Sequence, residues 1–290
     1  MPERMPATAG TPGRESFGSR LGAAMAARGP LCVGIDPHPA LLKSWGLDDD
    51  AAGLRAFSLT VLEAVGPLAA AVKPQVALYE RHGSAGMAVL EEVLAAARDE
   101  QVLTIADAKR GDIGSTMAAY ADAWLRDGSP LAADSVTLSP YLGFESLRPA
   151  LDLAAETGRG VFVLALTSNP EGASVQHVGG VDSVARRIVA AATAENGRYS
   201  GNLGSVGLVV GATVGRALTE LELDLAAVRG PILAPGLGAQ GATPADLKAT
   251  FGAAYPYVLG TSSRDILSAG PQLDGLRDAA RRTLDGLLGE

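Results

Sequence analysis

The chain is poor in cysteine and aromatic residues, and it carries no excess of positive charge. Cys32 is the only cysteine among 290 residues, so no intrachain disulfide can form and a reducing, cytoplasmic location is expected. The net charge of −8 argues against a general nucleic-acid-binding or membrane-binding surface, because both need a basic face. No apolar run approaches the ~20 residues that a membrane-spanning helix needs. An anionic small molecule stays compatible with this composition if positive side chains are gathered locally.

Sequence signals for metals and cofactors are missing as well. The histidines, His38, His82 and His177, are far apart and show no metal-ligand spacing. The first predicted strand is followed by GIDPHPA rather than by the G-x-G-x-x-G of a dinucleotide-binding fold. We therefore predict no bound metal, flavin or nicotinamide. Cys32 lies in the apolar run LCVGI and is interpreted as a small core residue rather than a nucleophile.

The N-terminal segment differs from the rest of the chain. Its sequence, MPERMPATAGTPGRES, combines proline, glycine and charged residues and lacks the apolar core of a secretory signal. We predict a disordered tail over residues 1–13 and a single domain over residues 14–290. The following segment, SFGSRLGAAMAARG, has apolar residues at helical spacing and predicts an N-terminal helix.

Eight short runs of β-branched and small apolar residues alternate with Ala- and Leu-rich amphipathic segments. The predicted strands cover residues 31–36, 70–75, 102–107, 135–140, 161–167, 206–213, 232–238 and 257–263. Eight strand–helix units in a chain of this length predict a single α/β domain, a (β/α)8 TIM barrel. A doubly wound parallel sheet is the alternative.

Polar or charged residues follow almost every predicted strand. They are Asp36, Lys73, Asp107, Lys109, Ser139, Thr167, Ser168, Thr213, Gln240 and Arg264. In a TIM barrel the C-terminal ends of the strands form one rim, and active sites are built there. We therefore expect these residues, which are scattered in sequence, to converge in space.

The stretch DAKRGDIGS, residues 107–115, carries the densest group of these charges. Asp107 and Lys109 are two positions apart and would share one face of an extended strand, with Lys73 as their neighbour. Asp112 lies past Gly111 and can point toward a partner subunit. Mixed charges keep the lysines protonated and the carboxylates ionised, so that a lysine is a poised proton donor. A salt-bridge ladder at a strand end is the alternative interpretation.

Two glycine-containing loops at the end of the chain predict a phosphate site. APGLGAQG and LGTSSR follow the seventh and eighth predicted strands, where TIM barrels often bind phosphate. Gly236, Gly238 and Gly241 allow the backbone to approach an anion, and Arg264 supplies a planar donor. Tight turns alone would also explain the glycines.

Together these segments resemble the orotidine 5′-phosphate decarboxylase family, in its longer-chain subfamily. DAKRGDIGST matches the D-x-K-x-x-D signature, and VGIDPHP, VKPQ, LTSNPEG and PGLGAQG occur in order at predicted strand ends. The resemblance covers nearly the whole chain beyond the tail. It implies a homodimeric enzyme of pyrimidine biosynthesis that converts orotidine 5′-phosphate to UMP without a metal or cofactor.

The resemblance also implies roles for the charged residues of the rim. Asp36 and Lys73 would hold ribose hydroxyls, and Lys73 would also orient Asp107. Asp107 would face the substrate carboxylate, while Lys109 would protonate C6 as carbon dioxide leaves. Asp112, with Thr116, would reach across the dimer interface to the partner's site.

The remaining implied contacts concern the base and the phosphate. Ser168 would contact the pyrimidine edge, and Pro235 would lie against the base. Gln240 and Arg264 would hold the phosphate.

Three other classes remain open from the sequence. Related Mg²⁺-dependent barrels that act on sugar phosphates through an enediolate carry a glutamate where this chain has Lys73, and an ammonium there would repel a metal. A Schiff-base aldolase would need a lysine of lowered pKa, whereas Lys73 and Lys109 lie near carboxylates. A non-catalytic phosphate-binding barrel is disfavoured by the complete set of Asp107, Lys109 and Asp112.

Overall fold

The computed structural model describes residues 14–238 and 241–289. The predicted tail over residues 1–13 and the predicted phosphate ligand Gln240 lie outside these residues. Both assignments therefore stay predictions.

Eight parallel strands form the centre of the molecule. They are Leu31–Ile35 (β1), Ala71–Pro74 (β2), Ile105–Arg110 (β3), Ser135–Leu138 (β4), Gly160–Leu166 (β5), Val206–Val210 (β6), Ile232–Pro235 (β7) and Val258–Ser262 (β8). The strand order is β2-β1-β8-β7-β6-β5-β4-β3. Bridges between Val72 and Thr104 and between Gln75 and Asp107 join the two outermost strands. The ring is thereby closed, which confirms the (β/α)8 barrel and rules out the doubly wound sheet.

Helices surround this barrel. They are Phe17–Arg28 (α1), Pro39–Ser44 (α2), Ala51–Val65 (α3), Ala77–Glu80 (α4), Gly83–Asp99 (α5), Gly114–Leu125 (α6), Arg148–Thr157 (α7), Ala173–Gln176 (α8), Val184–Asn196 (α9), Gly215–Glu220 (α10), Pro244–Phe251 (α11), Arg264–Leu267 (α12) and Leu273–Leu288 (α13). Side chains at helix starts supply some of the caps. The Asp50 carboxylate accepts a 2.8 Å hydrogen bond from the Gly53 N–H, for example, which satisfies a free donor in the first turn of α3. Among the described residues, no helix combines the length and apolarity needed to cross a membrane.

Helix α1 closes the end of the barrel at which the strands begin, here called the basal face. Its Phe17 is fully buried and meets Phe162 of β5 edge to face, with ring centroids 6.0 Å apart. Gly160 lies directly beneath the Phe17 ring, and a Cβ there would come within 2.2 Å of it. The absence of a side chain at Gly160 thus allows α1 to pack closely against the barrel. The opposite end, here called the mouth, stays open.

Cys32 belongs to the apolar cluster that fills the barrel interior, as expected for a core residue. It is completely buried, and burial raises the pKa of its thiol to about 12. The barrel interior on the basal side of the charged residues is therefore filled by apolar side chains.

Candidate active site

An aspartate held between two lysines lies at the centre of the mouth. The Lys73 Nζ donates to Asp107 Oδ2 at 2.9 Å, and the Lys109 Nζ donates to Asp107 Oδ1 at 2.6 Å. Lys73 comes from β2 and the other two residues from β3, so the pairing depends on closure of the ring between these strands. The predicted convergence of these three residues is confirmed.

Burial and pairing fix the charge states of this triad. Burial alone would raise the pKa of Asp107, which is 9% exposed, but Lys73 and Lys109 outweigh it and hold that pKa well below its usual range. Burial alone would lower the pKa of Lys73, yet Asp107 and Asp36 reverse this effect and raise the pKa above its usual value. Each opposite-charge contact near 4 Å is worth about 4 kcal/mol at an effective dielectric near 20. The site therefore holds an ionised carboxylate and a buried ammonium.

A backbone irregularity aims Lys109 at Asp107. The pairing of β3 with β4 shifts between Ala106 and Arg110, and Lys109 adopts a positive φ of 47°. An extended strand was expected to place Asp107 and Lys109 on one face by simple alternation. The structure instead brings them together through a bulge, which re-aims the lysine side chain. The side chain of Lys109 remains 46% exposed, whereas that of Lys73 is only 7% exposed.

Thr137 of β4 supports both members of this pair. Its hydroxyl donates to Asp107 Oδ1 at 3.0 Å and accepts from the Lys109 backbone N–H at 2.9 Å. The residue is 1% exposed. The hydroxyl thus fixes the carboxylate and the strained backbone of the lysine at the same time.

Two further polar groups border Lys73. The Lys73 Nζ donates to Gln75 Oε1 at 3.4 Å. Asp36, directly after β1, lies close enough to raise the pKa of Lys73, and its Oδ1 is buried without a hydrogen-bond partner. An acceptor of this kind at the edge of an open site can receive a hydroxyl group from a ligand.

Asp112 and Thr116 lie away from the central triad. The Asp112 carboxylate accepts a 2.8 Å hydrogen bond from the Ile113 N–H and makes no ion pair with any described residue. Thr116 is exposed on the first turn of α6. The charged group within one chain therefore consists of Lys73, Asp107 and Lys109, and Asp112 follows the end of β3 at Arg110. Arg110 pairs with Glu80, and its guanidinium lies 5.7 Å from the ring centroids of Tyr120 and Trp124 on α6.

The predicted phosphate loops lie where β7 and β8 end. Gly236, Gly238 and Gly241 all have a positive φ. Gly238 has φ 76°, which favours glycine, and a Cβ there would fall 1.7 Å from the Asp265 Oδ2, so the Asp265 side chain would have to move. Arg264 begins α12 with an exposed side chain that makes no ion pair among residues 14–238 and 241–289.

Pro235 and Ser168 line other parts of the mouth. Pro235 is the last residue of β7, is half-buried, and pairs in register with Thr261 of β8. Ser168 is exposed two residues after β5 and lies against Gly211 at the end of β6. Both residues are thus on the rim to which the sequence assigned them.

Sequence reasoning missed Thr137 and the contact of Gln75 with Lys73. Thr137 lies in the predicted strand over residues 135–140, and a polar residue within a buried strand must find a hydrogen-bond partner. That requirement was the available signal. Gln75 lies two positions after Lys73, and nothing in the local pattern distinguishes it from a solvent-facing residue.

The described residues contain no group of three or more His, Cys, Asp or Glu side chains arranged to hold a metal ion. The fold and the site define a class: a TIM barrel whose mouth places an ionised carboxylate between two ammonium groups, beside glycine-containing loops and a free arginine. Residues 29–274 match the model of the orotidine 5′-phosphate decarboxylase / HUMPS family. The chain belongs to this family.

Individual relatives agree with this assignment. A Salinispora arenicola protein named orotidine 5′-phosphate decarboxylase is 57% identical over 272 residues, which are 93% of this chain and 96% of the relative. A Streptomyces coelicolor protein of the same name is 56% identical over 270 residues, 92% of this chain and 95% of the relative. The structure of the Leishmania donovani OMP decarboxylase superposes with a TM-score of 0.74 at 32% identity, covering 94% of this chain and 98% of that one.

Proposed function

We propose that this protein is a carboxy-lyase that converts orotidine 5′-phosphate to UMP and carbon dioxide in pyrimidine biosynthesis. The observation that carries the proposal is the buried Asp107 carboxylate fixed between the ammonium groups of Lys73 and Lys109. Family membership and the names of the close relatives point to the same reaction. The single, buried cysteine is compatible with a reducing compartment, and we expect the enzyme to act in the cytoplasm.

The reaction breaks the bond between C6 of the pyrimidine and its carboxylate carbon. The electron pair stays on C6 while carbon dioxide leaves, and a proton from Lys109 then completes the C6–H bond. A fixed ammonium beside the developing negative charge stabilises the transition state without rearranging, which is electrostatic preorganisation. Lys109 is half exposed, so it can regain its proton from solvent after each turnover.

Asp107 and Lys73 set the geometry of this step. Asp107 would lie beside the departing carboxylate, and the repulsion between the two anions ends when neutral carbon dioxide is released. Lys73 keeps Asp107 ionised and in place. Asp36 would accept a ribose hydroxyl at its unpartnered Oδ1, with Lys73 donating to the same sugar.

The base and the phosphate would be held by the other side of the mouth. Pro235 would pack against the pyrimidine and Ser168 would contact its polar edge. Arg264 and Gln240 would bind the phosphate, which the exposed guanidinium of Arg264, unpaired among the described residues, supports. Phosphate binding remote from C6 contributes energy that can be used to orient the reacting carbon.

We further propose that the enzyme is a homodimer in which Asp112 and Thr116 complete the partner's site. Three large apolar side chains near these residues are exposed in the monomer: Ile113 at 61%, Tyr141 at 80% and Leu142 at 54%. A contact with a second copy would bury them. Mixing Asp112→Ala with Lys109→Ala protein should therefore restore activity through hybrid sites, and confirmed heterodimers without any recovery would contradict shared sites.

The proposed reaction is tested by turnover after metal removal. Protein treated with EDTA should convert orotidine 5′-phosphate to UMP, followed by the loss of orotidylate absorbance. A requirement for added Mg²⁺ would favour the sugar-phosphate relatives instead. Trapping of a substrate adduct with borohydride would favour Schiff-base chemistry. Binding of the nucleotide without turnover would indicate a non-catalytic barrel.

A further inference from the structure

The basal face of the barrel contains a cavity of about 550 Å³ on the far side from the mouth. Helix α1, the C-terminal end of α5 and the segments that precede β3, β4 and β5 form its walls. This volume lies within the range of small-molecule sites. We call it the basal pocket.

Arginines dominate the polar lining of the basal pocket. They are Arg14, Arg20, Arg28, Arg98 and Arg159. The carboxylates around them are fewer: Glu15 and Asp134 line the same space, and Asp127 lies behind it. The pocket is therefore positive within a chain whose overall charge is −8.

Two of the carboxylates are shared among three of the arginines. Asp127 Oδ1 accepts from Arg14 at 2.8 Å and from Arg159 at 3.0 Å. Asp134 pairs with Arg20, and its other oxygen accepts from the backbone N–H and hydroxyl of Thr104 at 3.0 and 3.1 Å. These carboxylates have little capacity left to neutralise further positive charge.

The remaining guanidinium groups lack anionic partners. Arg28 and Arg98 make no ion pair with any residue that the structure describes. The Nε atoms of Arg28 and Arg159 are buried without a hydrogen-bond partner, and Arg159 as a whole is 7% exposed. Burial and the nearby Arg14 lower the pKa of Arg159, while Asp127 acts in the opposite direction. An added anion would be attracted to this surplus of positive charge, of which Arg159 is the buried part.

The part of the lining that α1 presents between Arg20 and Arg28 is apolar and built from small side chains; it is called here the alanine wall. Ala23, Ala24 and Ala27 form it, and Leu94 and Val102 line the same pocket. Larger residues on α1 would fill the space. The pocket thus offers arginines for an acid group and adjacent small apolar side chains for an organic group.

We propose that the basal pocket binds a small phosphate ester, with its phosphate on the arginines and its organic part on the alanine wall of α1. Guanidinium forks match phosphate oxygens in geometry and charge. Residues 1–13 contain one acidic and one basic side chain, so that segment brings no surplus negative charge to this position. The site is separate from the mouth, because Thr104 precedes Asp107 by three residues, or about 10 Å of strand.

Calorimetric titration of the full-length protein with phenyl phosphate tests this site. The Arg28→Gln/Arg98→Gln double variant should weaken binding at least about tenfold, because two charge-assisted contacts are lost. Arg216→Gln, an exposed arginine on α10, should leave the affinity within about twofold, and so should saturation of the mouth with UMP before the titration. The binding should weaken as salt is added.

A substitution among the alanines of α1 tests the binding of the organic group separately from the binding of the phosphate. Ala27→Leu should weaken the binding of phenyl phosphate but not that of inorganic phosphate, and melting curves check that each variant is folded. Three outcomes would overturn the proposal: no binding by the unmodified protein, loss of binding when the mouth is saturated with UMP, or equal affinity in the double variant and the Arg216→Gln control. None of these readouts depends on the decarboxylase activity.

Discussion

Replacing Thr137 by valine removes one hydroxyl group from the barrel interior and keeps the shape of the side chain. The change deletes the 3.0 Å hydrogen bond to Asp107 Oδ1 and leaves the Lys109 N–H, formerly bonded at 2.9 Å, without its acceptor. A hydrogen bond to a charged group is worth about 1.5–3 kcal/mol, and an unsatisfied buried donor costs about 1–3 kcal/mol. The Asp107 carboxylate and the backbone of Lys109 should therefore lose the hydrogen bonds that hold them in position.

The expected result is a fall in kcat of about 10- to 100-fold, corresponding to about 1.4–2.8 kcal/mol, with KM changed far less. Thr137 does not face the ribose or the phosphate in the proposed site, so substrate binding should survive. Thr137→Ser is the matched control, because it keeps the hydroxyl and should retain most of the turnover. The assay is the absorbance change on decarboxylation, with urea unfolding as a check on folding.

Two results would refute this reasoning. Turnover of Thr137→Val within about twofold of the unmodified protein would show that the hydroxyl does not position the reacting groups. An equal loss in the serine variant would show that packing, rather than the hydrogen bonds, explains the effect.

Two other substitutions probe the charges and the phosphate loop. Asp107→Asn should lower the free energy of unfolding at pH 7 by about 3–5 kcal/mol, because buried Lys73 loses its partner. Folding lowers the pKa of Asp107 and raises that of Lys73. The difference in unfolding free energy between the unmodified protein and Asp107→Asn, measured in urea, should therefore shrink as the pH falls below 3.8, the pKa of an unfolded Asp, and as it rises above 10.5, the pKa of an unfolded Lys. A difference that is as large at pH 2 as at pH 7 would contradict the ion pair. Gly238→Ala should raise KM about tenfold, because the Asp265 carboxylate must turn aside next to Arg264, whereas Gly128→Ala, at φ 85° with open space, should not. Equal KM values in the two glycine variants would contradict the close fit.

The barrel could be predicted from the sequence because each strand is a short apolar run that ends in a distinctive polar residue. Once the ring is known, Lys73 and Asp107 must meet, since β2 and β3 are neighbours at its closure. The pairing of residues 34 positions apart thus follows from topology rather than from local pattern.

Other features depend on details that a linear pattern does not contain. The third strand was predicted to end at residue 107, but a bulge lets it continue to Arg110 and turns Lys109 to a positive φ. The support from Thr137 depends on this bulge and on the register of β4. The basal pocket gathers arginines from residue 14 to residue 159, and only the folded chain shows that they surround one cavity.

Turnover and UMP binding by Lys109→Ala, measured on the same preparation, test the central claim most directly. The account predicts that decarboxylation is abolished while UMP still binds, because the ammonium acts on the carbanion at C6 and Lys73, Asp36 and Arg264 remain to hold the nucleotide. Near-normal turnover by this variant would contradict the account.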